Sequence, residues 1–151
     1  MRVSLIHVVL LSHVAATLSM TGLIWFVQIV HYPLMSSIRI EDFANYERRH
    51  MSLTTWVVAP PMLIEAATAI LLLWLRPAGI SVWIVWFGGG LLAVIWLSTI
   101  FLQAPYHDSL ANGFDAAIHQ RLVSTNWIRT VAWSLRASLL LFILWSVSKV
   151  T

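Results

Sequence analysis

Four long apolar runs most constrain what this chain can fold into. They cover roughly residues 4–30, 53–75, 79–103 and 122–148, and each is long enough to cross about 30 Å of hydrocarbon as a helix. Apolar residues make up 60% of the chain and charged residues only 10%, which is unlike a water-soluble domain. We therefore predict an all-α integral membrane protein, an up-down bundle of four helices with short interfacial helices, forming a single domain over residues 1–151.

Residue counts exclude several classes of function. The chain has no cysteine, which excludes disulfides, thiolate metal sites and iron–sulfur clusters. Lys149 is the only lysine, so no lysine is placed to form a Schiff base within the membrane. The nine basic residues are scattered over helix ends and loops, so we predict no nucleic-acid partner. The first run is longer than the apolar part of a signal peptide, and we expect it to be retained.

Breaks between the runs predict how the helices are joined. An even number of helices places both termini on one side of the membrane. Pro33 and Pro105 are expected to end the first and third helices, because proline lacks the amide that continues a helix. Residues 40–50 are predicted to form a short interfacial helix before the second span. Residues 113–121 are predicted to form another helical piece, which extends the fourth helix outward.

The fourth run is unusual because it contains strongly polar residues within "STNWIRTVAWSLR", residues 124–136. At helical spacing, Asn126, Arg129 and Arg136 share one face. An arginine at the centre of a membrane helix costs about 2.5–3.5 kcal/mol, so this face should point into the bundle. Glu65 lies at a similar depth on the second helix, and we predict a buried ion pair between Glu65 and Arg136. A purely structural role for this pair is as well supported as a functional one.

Antiparallel packing should gather many polar side chains at one end of the bundle, where helices one and three end and helices two and four begin. Four histidines among them exceed what packing requires, so we predict a ligand or catalytic site. The expected catalytic residues are His31, His107, Asn126 and Arg129. The expected ligand-binding residues are Gln28, Tyr32, Tyr46, His50, Gln103 and His119.

Metal binding has weak support from the sequence. Glu47 and His50 are three residues apart, and Asp115 and His119 are four apart, so each pair can face one ion from a helix. We predict neither a metal site nor a tightly bound cofactor. A haem or a non-haem metal held by the histidines at this end stays open as an alternative.

Three short motifs resemble the anthrone oxygenase-like family of small four-helix membrane proteins. They are "VHYPL" at 30–34, "STIFLQAPYHDSLANGFD" at 98–115 and "LVSTNWIRT" at 122–130. Members typically have a His-Pro pair after helix one, a polar-x-Pro-x-polar segment after helix three, and Asn-x-x-Arg at the start of helix four. The matching positions here are His31 with Pro33, Gln103 with Pro105 and His107, and Asn126 with Arg129.

The resemblance implies an oxygenase that acts on activated tricyclic phenols with dioxygen and no obvious cofactor. The residues permit such chemistry, because His31 or His107 could remove a phenolic or benzylic proton. Arg129, with Asn126 and Gln103, could stabilise the resulting enolate. The expected activity is therefore that of an oxygenase or oxidoreductase acting on a lipophilic aromatic or quinone-like substrate.

A non-catalytic role is the alternative interpretation. The same polar residues could bind the carbonyls of a quinone, and the chain could be an accessory subunit of a larger membrane complex that binds lipid, quinone, pigment or haem. The expected partners are the lipid bilayer, a lipophilic small molecule, and a second copy of the chain or a larger complex. The expected location is a bacterial inner (cytoplasmic) membrane.

Overall fold

The computed structural model describes residues 5–149, and over these residues the protein is an all-α bundle of four helices. We number them α1 (Leu5–Met35), α2 (Ile40–Trp74), α3 (Val82–Leu110) and α4 (Ala116–Ser148). Each is long and apolar enough to cross a membrane. The prediction of a four-helix membrane bundle is confirmed. The first predicted span begins at residue 4, which lies outside the described residues.

The helices alternate in direction. His13 of α1 contacts Thr68 of α2, whereas His31, further along α1, contacts His50, earlier on α2. The same reversal relates α4 to both α1 and α3. The start of α1 and the end of α4 therefore lie at one end of the bundle. We call the opposite end, where α1 and α3 finish and α2 and α4 begin, the polar end.

Neither Pro33 nor Pro105 ends its helix, which corrects the prediction from the sequence. One π-helical turn, Val27–His31, precedes Pro33, and α1 then continues to Met35. A second, Thr99–Gln103, precedes Pro105, and α3 continues to Leu110. A proline removes one backbone hydrogen bond of the helix. The wider π-helical turn before it accommodates this loss, so the helix continues past the proline.

Residues 40–50 do not form a separate interfacial helix, which is a second correction. They are the first turns of α2, which runs unbroken to Trp74 with Pro60 and Pro61 inside it. Residues from Ala116 onward do extend α4 outward, as expected. Asp115 caps the start of that helix, because its Oδ1 accepts hydrogen bonds from the backbone amides of the next turn at 2.8 and 2.9 Å.

A hydrogen-bonded network around Glu65 holds all four helices together in mid-bundle. Glu65 is 0% exposed. Its Oε1 accepts from Thr17 at 2.6 Å and from Arg136 Nε at 2.9 Å, and its Oε2 accepts from Trp133 Nε1 at 3.0 Å. Glu65 and Arg136 therefore form a buried ion pair. Both carboxylate oxygens have donors, which is what a buried charge requires.

The other two guanidinium nitrogens of Arg136 also have partners. Nη1 donates to the carbonyl of Gly88 on α3, and Nη2 donates to His13 Nε2 at 3.3 Å. Because Nε2 accepts, His13 donates from Nδ1 to Thr68 Oγ1, which lies 2.7 Å away. A cavity of about 40 Å³ beside Arg136 has room for little more than a single water. Each guanidinium nitrogen of Arg136 therefore has a partner, and the network connects the four helices.

Candidate functional site

A cavity of about 330 Å³ lies in the half of the bundle nearer the polar end. Most of its wall is apolar, with Met20, Val58, Met62 and Trp133 among the lining side chains. Its lining also includes the exposed residues Thr55 and Leu63 on α2 and Ala104 on α3. We place the mouth of the cavity between α2 and α3, facing the lipid.

The polar lining groups come from residues near the polar end of the bundle. Of the ten residues predicted for the site, five line the cavity: Tyr32, His50, Gln103, His107 and Arg129. The other five do not: Gln28, His31, Tyr46, His119 and Asn126. All ten residues thus lie at the polar end, but only five of them line the cavity.

Arg129 is buried and held by neutral partners. Its Nε and Nη2 donate to Asn126 Oδ1 at 2.9 and 2.5 Å, Nη2 also donates to the Tyr32 hydroxyl at 3.2 Å, and Nη1 lies 3.5 Å from Thr99 Oγ1. Within residues 5–149 no carboxylate forms an ion pair with Arg129. Its charge is therefore directed at the cavity without a protein counter-ion, which favours a ligand with a carbonyl or an anionic oxygen.

Asn126 and Gln28 position Arg129. Asn126 is 0% exposed, and its Nδ2 donates to Gln28 Oε1 at 2.8 Å. Gln28 Nε2 in turn donates to the carbonyl of Val123 at 3.2 Å. The bond to Gln28 turns the amide of Asn126 so that Oδ1 faces Arg129. Asn126, which was predicted to be catalytic, therefore contacts the guanidinium and does not line the cavity.

A chain of hydrogen bonds connects a buried carboxylate to the cavity. Glu47 is 0% exposed, and its Oε1 accepts from His107 Nδ1 at 2.5 Å. With its proton on Nδ1, His107 accepts at Nε2 from the Tyr32 hydroxyl at 2.8 Å. The Tyr32 oxygen also accepts from Arg129. The carboxylate thus fixes the tautomer of a histidine whose other nitrogen faces a hydroxyl in the cavity wall, an arrangement that suits proton transfer.

The side chains of His31 and His50 contact each other at the polar end. His31 Nε2 lies 3.1 Å from His50 Nδ1, and Thr54 Oγ1 lies 3.0 Å from the same nitrogen. Tyr46 stacks on His50 with an interplanar angle of 6°. His50 lines the cavity, and the other three fix the plane of its ring.

His119 forms a hydrogen bond with the backbone. Its Nε2 donates to the carbonyl of Tyr32 at 2.8 Å, which satisfies an acceptor near the end of α1 and holds Tyr32 in place. Asp115 is engaged with backbone amides. The weak metal-binding pattern of Asp115 and His119 is therefore not formed. The side-chain amide of Gln103 is also hydrogen-bonded at both atoms. Its Oε1 accepts from Ser98 Oγ at 2.9 Å, and its Nε2 donates to Thr125 Oγ1 at 3.2 Å.

Glu47 is not among the catalytic and ligand-binding residues predicted from the sequence. The structure brings Glu47, His50 and His107 together, with one potential ligand atom of each within 4.8 Å of the others. Two buried polar atoms in this region have no hydrogen-bond partner within residues 5–149, Glu47 Oε2 and Trp96 Nε1. Trp96 lines the cavity. Polar atoms left unsatisfied beside a cavity indicate a place for a bound group.

Comparison with known proteins identifies no relative. No protein-family model, no characterised protein and no solved structure matches the chain.

Proposed function

We propose that this protein is an oxidoreductase of a bacterial inner membrane and acts on a lipophilic aromatic or quinone-like molecule. The observation that carries the proposal is the apolar cavity of about 330 Å³ whose polar lining includes Tyr32, His107 and Arg129. Small-molecule sites typically have volumes of about 300–1,000 Å³ and combine apolar walls with a few convergent polar groups.

The lining predicts how such a ligand is oriented. Arg129 and the Tyr32 hydroxyl would face a carbonyl or phenolate oxygen, while Val58, Met62 and Trp133 surround the ring system. The mouth between α2 and α3 would let a hydrophobic tail remain in the lipid. A ligand with a polar head and an apolar body fits a cavity with one polar end and apolar walls better than a sugar or a charged metabolite does.

The proposed reaction begins with removal of a proton. His107 Nε2 takes a proton from an activated phenol or benzylic carbon through the Tyr32 hydroxyl, and Glu47 stabilises the imidazolium that forms. Arg129 stabilises the negative oxygen of the enolate. The enolate carbon then forms a bond to dioxygen, and the peroxide anion takes back the proton from His107 through the Tyr32 hydroxyl. The hydroperoxide so formed loses water to leave a new carbonyl. The resemblance of residues 98–115 and 122–130 to anthrone oxygenase-like proteins supports this reaction.

Filling the cavity tests the proposal. Replacing Ala59, which lines the cavity, with phenylalanine should weaken binding of a lipophilic naphthoquinone or anthrone about tenfold or more, because the larger ring occupies the ligand's space. Binding can be followed through quenching of tryptophan fluorescence, since Trp96 and Trp133 line the cavity. Ala67→Phe is the matched control, because Ala67 is an exposed residue of α2 away from the cavity.

Equal binding by Ala59→Phe, Ala67→Phe and the unmodified protein would exclude this cavity as the ligand site. Binding that Ala59→Phe abolishes, without any oxidation of the anthrone by the unmodified protein, would instead support the non-catalytic accessory subunit.

A further inference from the structure

We infer that Glu47, His50 and His107 form a binding site for one divalent transition-metal ion at the edge of the cavity. The inference rests on the geometry of these three side chains. It concerns the protein with an ion bound, whereas the proposed proton transfer through Glu47 and His107 takes place in the protein without the ion.

The three side chains converge from two helices. Glu47 and His50 lie three residues apart on α2, so they share a helix face. His107 lies on α3, beyond the π-helical turn and Pro105. One potential ligand atom from each side chain lies within 4.8 Å of the other two. Side chains from two separate helices thus surround one small volume, as in metal sites of helical bundles.

The donor types fit a transition metal. Two imidazoles and one carboxylate are the protein ligands of many catalytic zinc sites and of non-haem iron(II) sites, which keep open positions for water or substrate. Calcium and magnesium prefer oxygen ligands. His50 and His107 both line the cavity, so a bound ion would be accessible to a molecule there.

Glu47 supplies an independent reason to expect a cation. Its side chain is 0% exposed, and Oε2 is buried without a hydrogen-bond partner within residues 5–149. A carboxylate in a protein interior normally has each oxygen paired, because unpaired charge is costly to bury. A metal ion in contact with Glu47 would compensate this charge.

A hydrogen bond lies where the ion would bind, because Glu47 Oε1 accepts from His107 Nδ1 at 2.5 Å. An ion about 2.1 Å from each atom would separate them to roughly 3.0–3.4 Å, a shift that small side-chain movements can provide. Metal binding would displace the donated proton, since histidine binds metals through an unprotonated nitrogen.

Supporting hydrogen bonds are present for both histidines. His107 uses Nε2 toward the Tyr32 hydroxyl, which leaves Nδ1 as the ligand atom. Both hydrogen bonds that His50 makes within residues 5–149 involve Nδ1, toward His31 and Thr54, which leaves Nε2. Metal-binding histidines usually have the second ring nitrogen held in this way. The geometry thereby gives His31 a role as a positioning residue for His50.

Equilibrium binding of cobalt(II) and zinc(II) to the purified full chain tests the inference. The protein should be prepared without a histidine tag and treated with a chelator before titration. We expect one ion per chain, and visible absorption of bound cobalt(II) with intensity typical of four or five ligands. Glu47→Gln, His50→Ala and His107→Ala should each weaken binding about 100-fold or more, and His31→Ala about tenfold.

His7→Ala is the matched control, because it removes a histidine near the opposite end of the bundle. It should leave the affinity unchanged. Each variant's unfolding is measured without metal, and His50→Ala is the decisive variant because His50 is only partly buried. Absence of stoichiometric binding, or equal affinity in His50→Ala and His7→Ala, would overturn the inference. Because no quinone or anthrone is present, the result does not depend on the proposed function.

Discussion

Glu65→Gln is expected to lower the free energy of unfolding of the bundle by about 3–5 kcal/mol, the typical effect of breaking a buried ion pair. The substitution keeps the side chain's size but leaves the buried Arg136 without a counter-charge. It also weakens the acceptor for Thr17 and Trp133. Unfolding in mixed micelles with increasing denaturing detergent, followed by circular dichroism, measures the change.

Glu41→Gln is the matched control, since Glu41 forms an ion pair with Arg39 on the exposed surface of α2. Exposed pairs contribute little because water and salt screen them, so this variant should unfold like the unmodified protein. The double variant Glu65→Gln with Arg136→Gln should be more stable than Glu65→Gln alone. Equal stability of the Glu65 and Glu41 variants would show that the network does not hold the helices together.

Arg129→Lys is expected to reduce the oxidation rate of a lipophilic anthrone about 100-fold or more, the usual cost of losing a donor to a developing oxyanion. Lysine keeps the charge but cannot contact Asn126, Tyr32 and Thr99 together, as the guanidinium does. Rate per folded molecule and stability in detergent are measured on the same preparations. The oxidation rate per folded molecule should fall, while the bundle remains folded.

Arg121→Lys is the control for this substitution, because Arg121 is exposed near the start of α4. Arg129→Gln separates function from packing, since it removes the charge altogether. If Arg129 only supports packing, Arg129→Gln will lower stability while binding and turnover per folded molecule stay unchanged. That result would remove Arg129 from the proposed site.

The four spans could be predicted because apolar length is a local property of sequence. The helix ends could not be predicted, because a proline does not always end a helix. Pro33 and Pro105 remove a backbone donor wherever they occur, but here a π-helical turn before each lets the helix continue. The hydrophobicity of α1 and α3 gives no sign of that turn.

The burial of Glu47 can be predicted from helical spacing. The site predicted above includes Tyr46 and His50 from residues 40–50, but Glu47 only as a weak metal-binding pair with His50. Phe43, Glu47, His50 and Thr54 nevertheless follow one another at spacings of three and four, and the same spacing leads on toward Glu65. This continuous face indicates one long helix that buries the same side throughout, and it could have placed Glu47 beside His107.

The roles of Asn126 and His119 could not be read from sequence. The location of the polar end follows from antiparallel packing alone, so their approximate position was predictable. Whether each contacts a ligand or another residue depends on ångström-scale geometry. Asn126 faces Arg129 and Gln28, and His119 faces a backbone carbonyl.

We propose that a lipophilic aromatic molecule binds inside the bundle beside Tyr32 and Arg129. Photocrosslinking with a diazirine-bearing naphthoquinone, mapped by mass spectrometry, tests this binding site directly. We expect labelling of cavity residues such as Met51, Val58 and Met62, with competition by unlabelled quinone and loss of labelling in Ala59→Phe. Labelling spread over exposed residues at the other end of α3, such as Trp83, and unaffected by Ala59→Phe would exclude the cavity as the binding site.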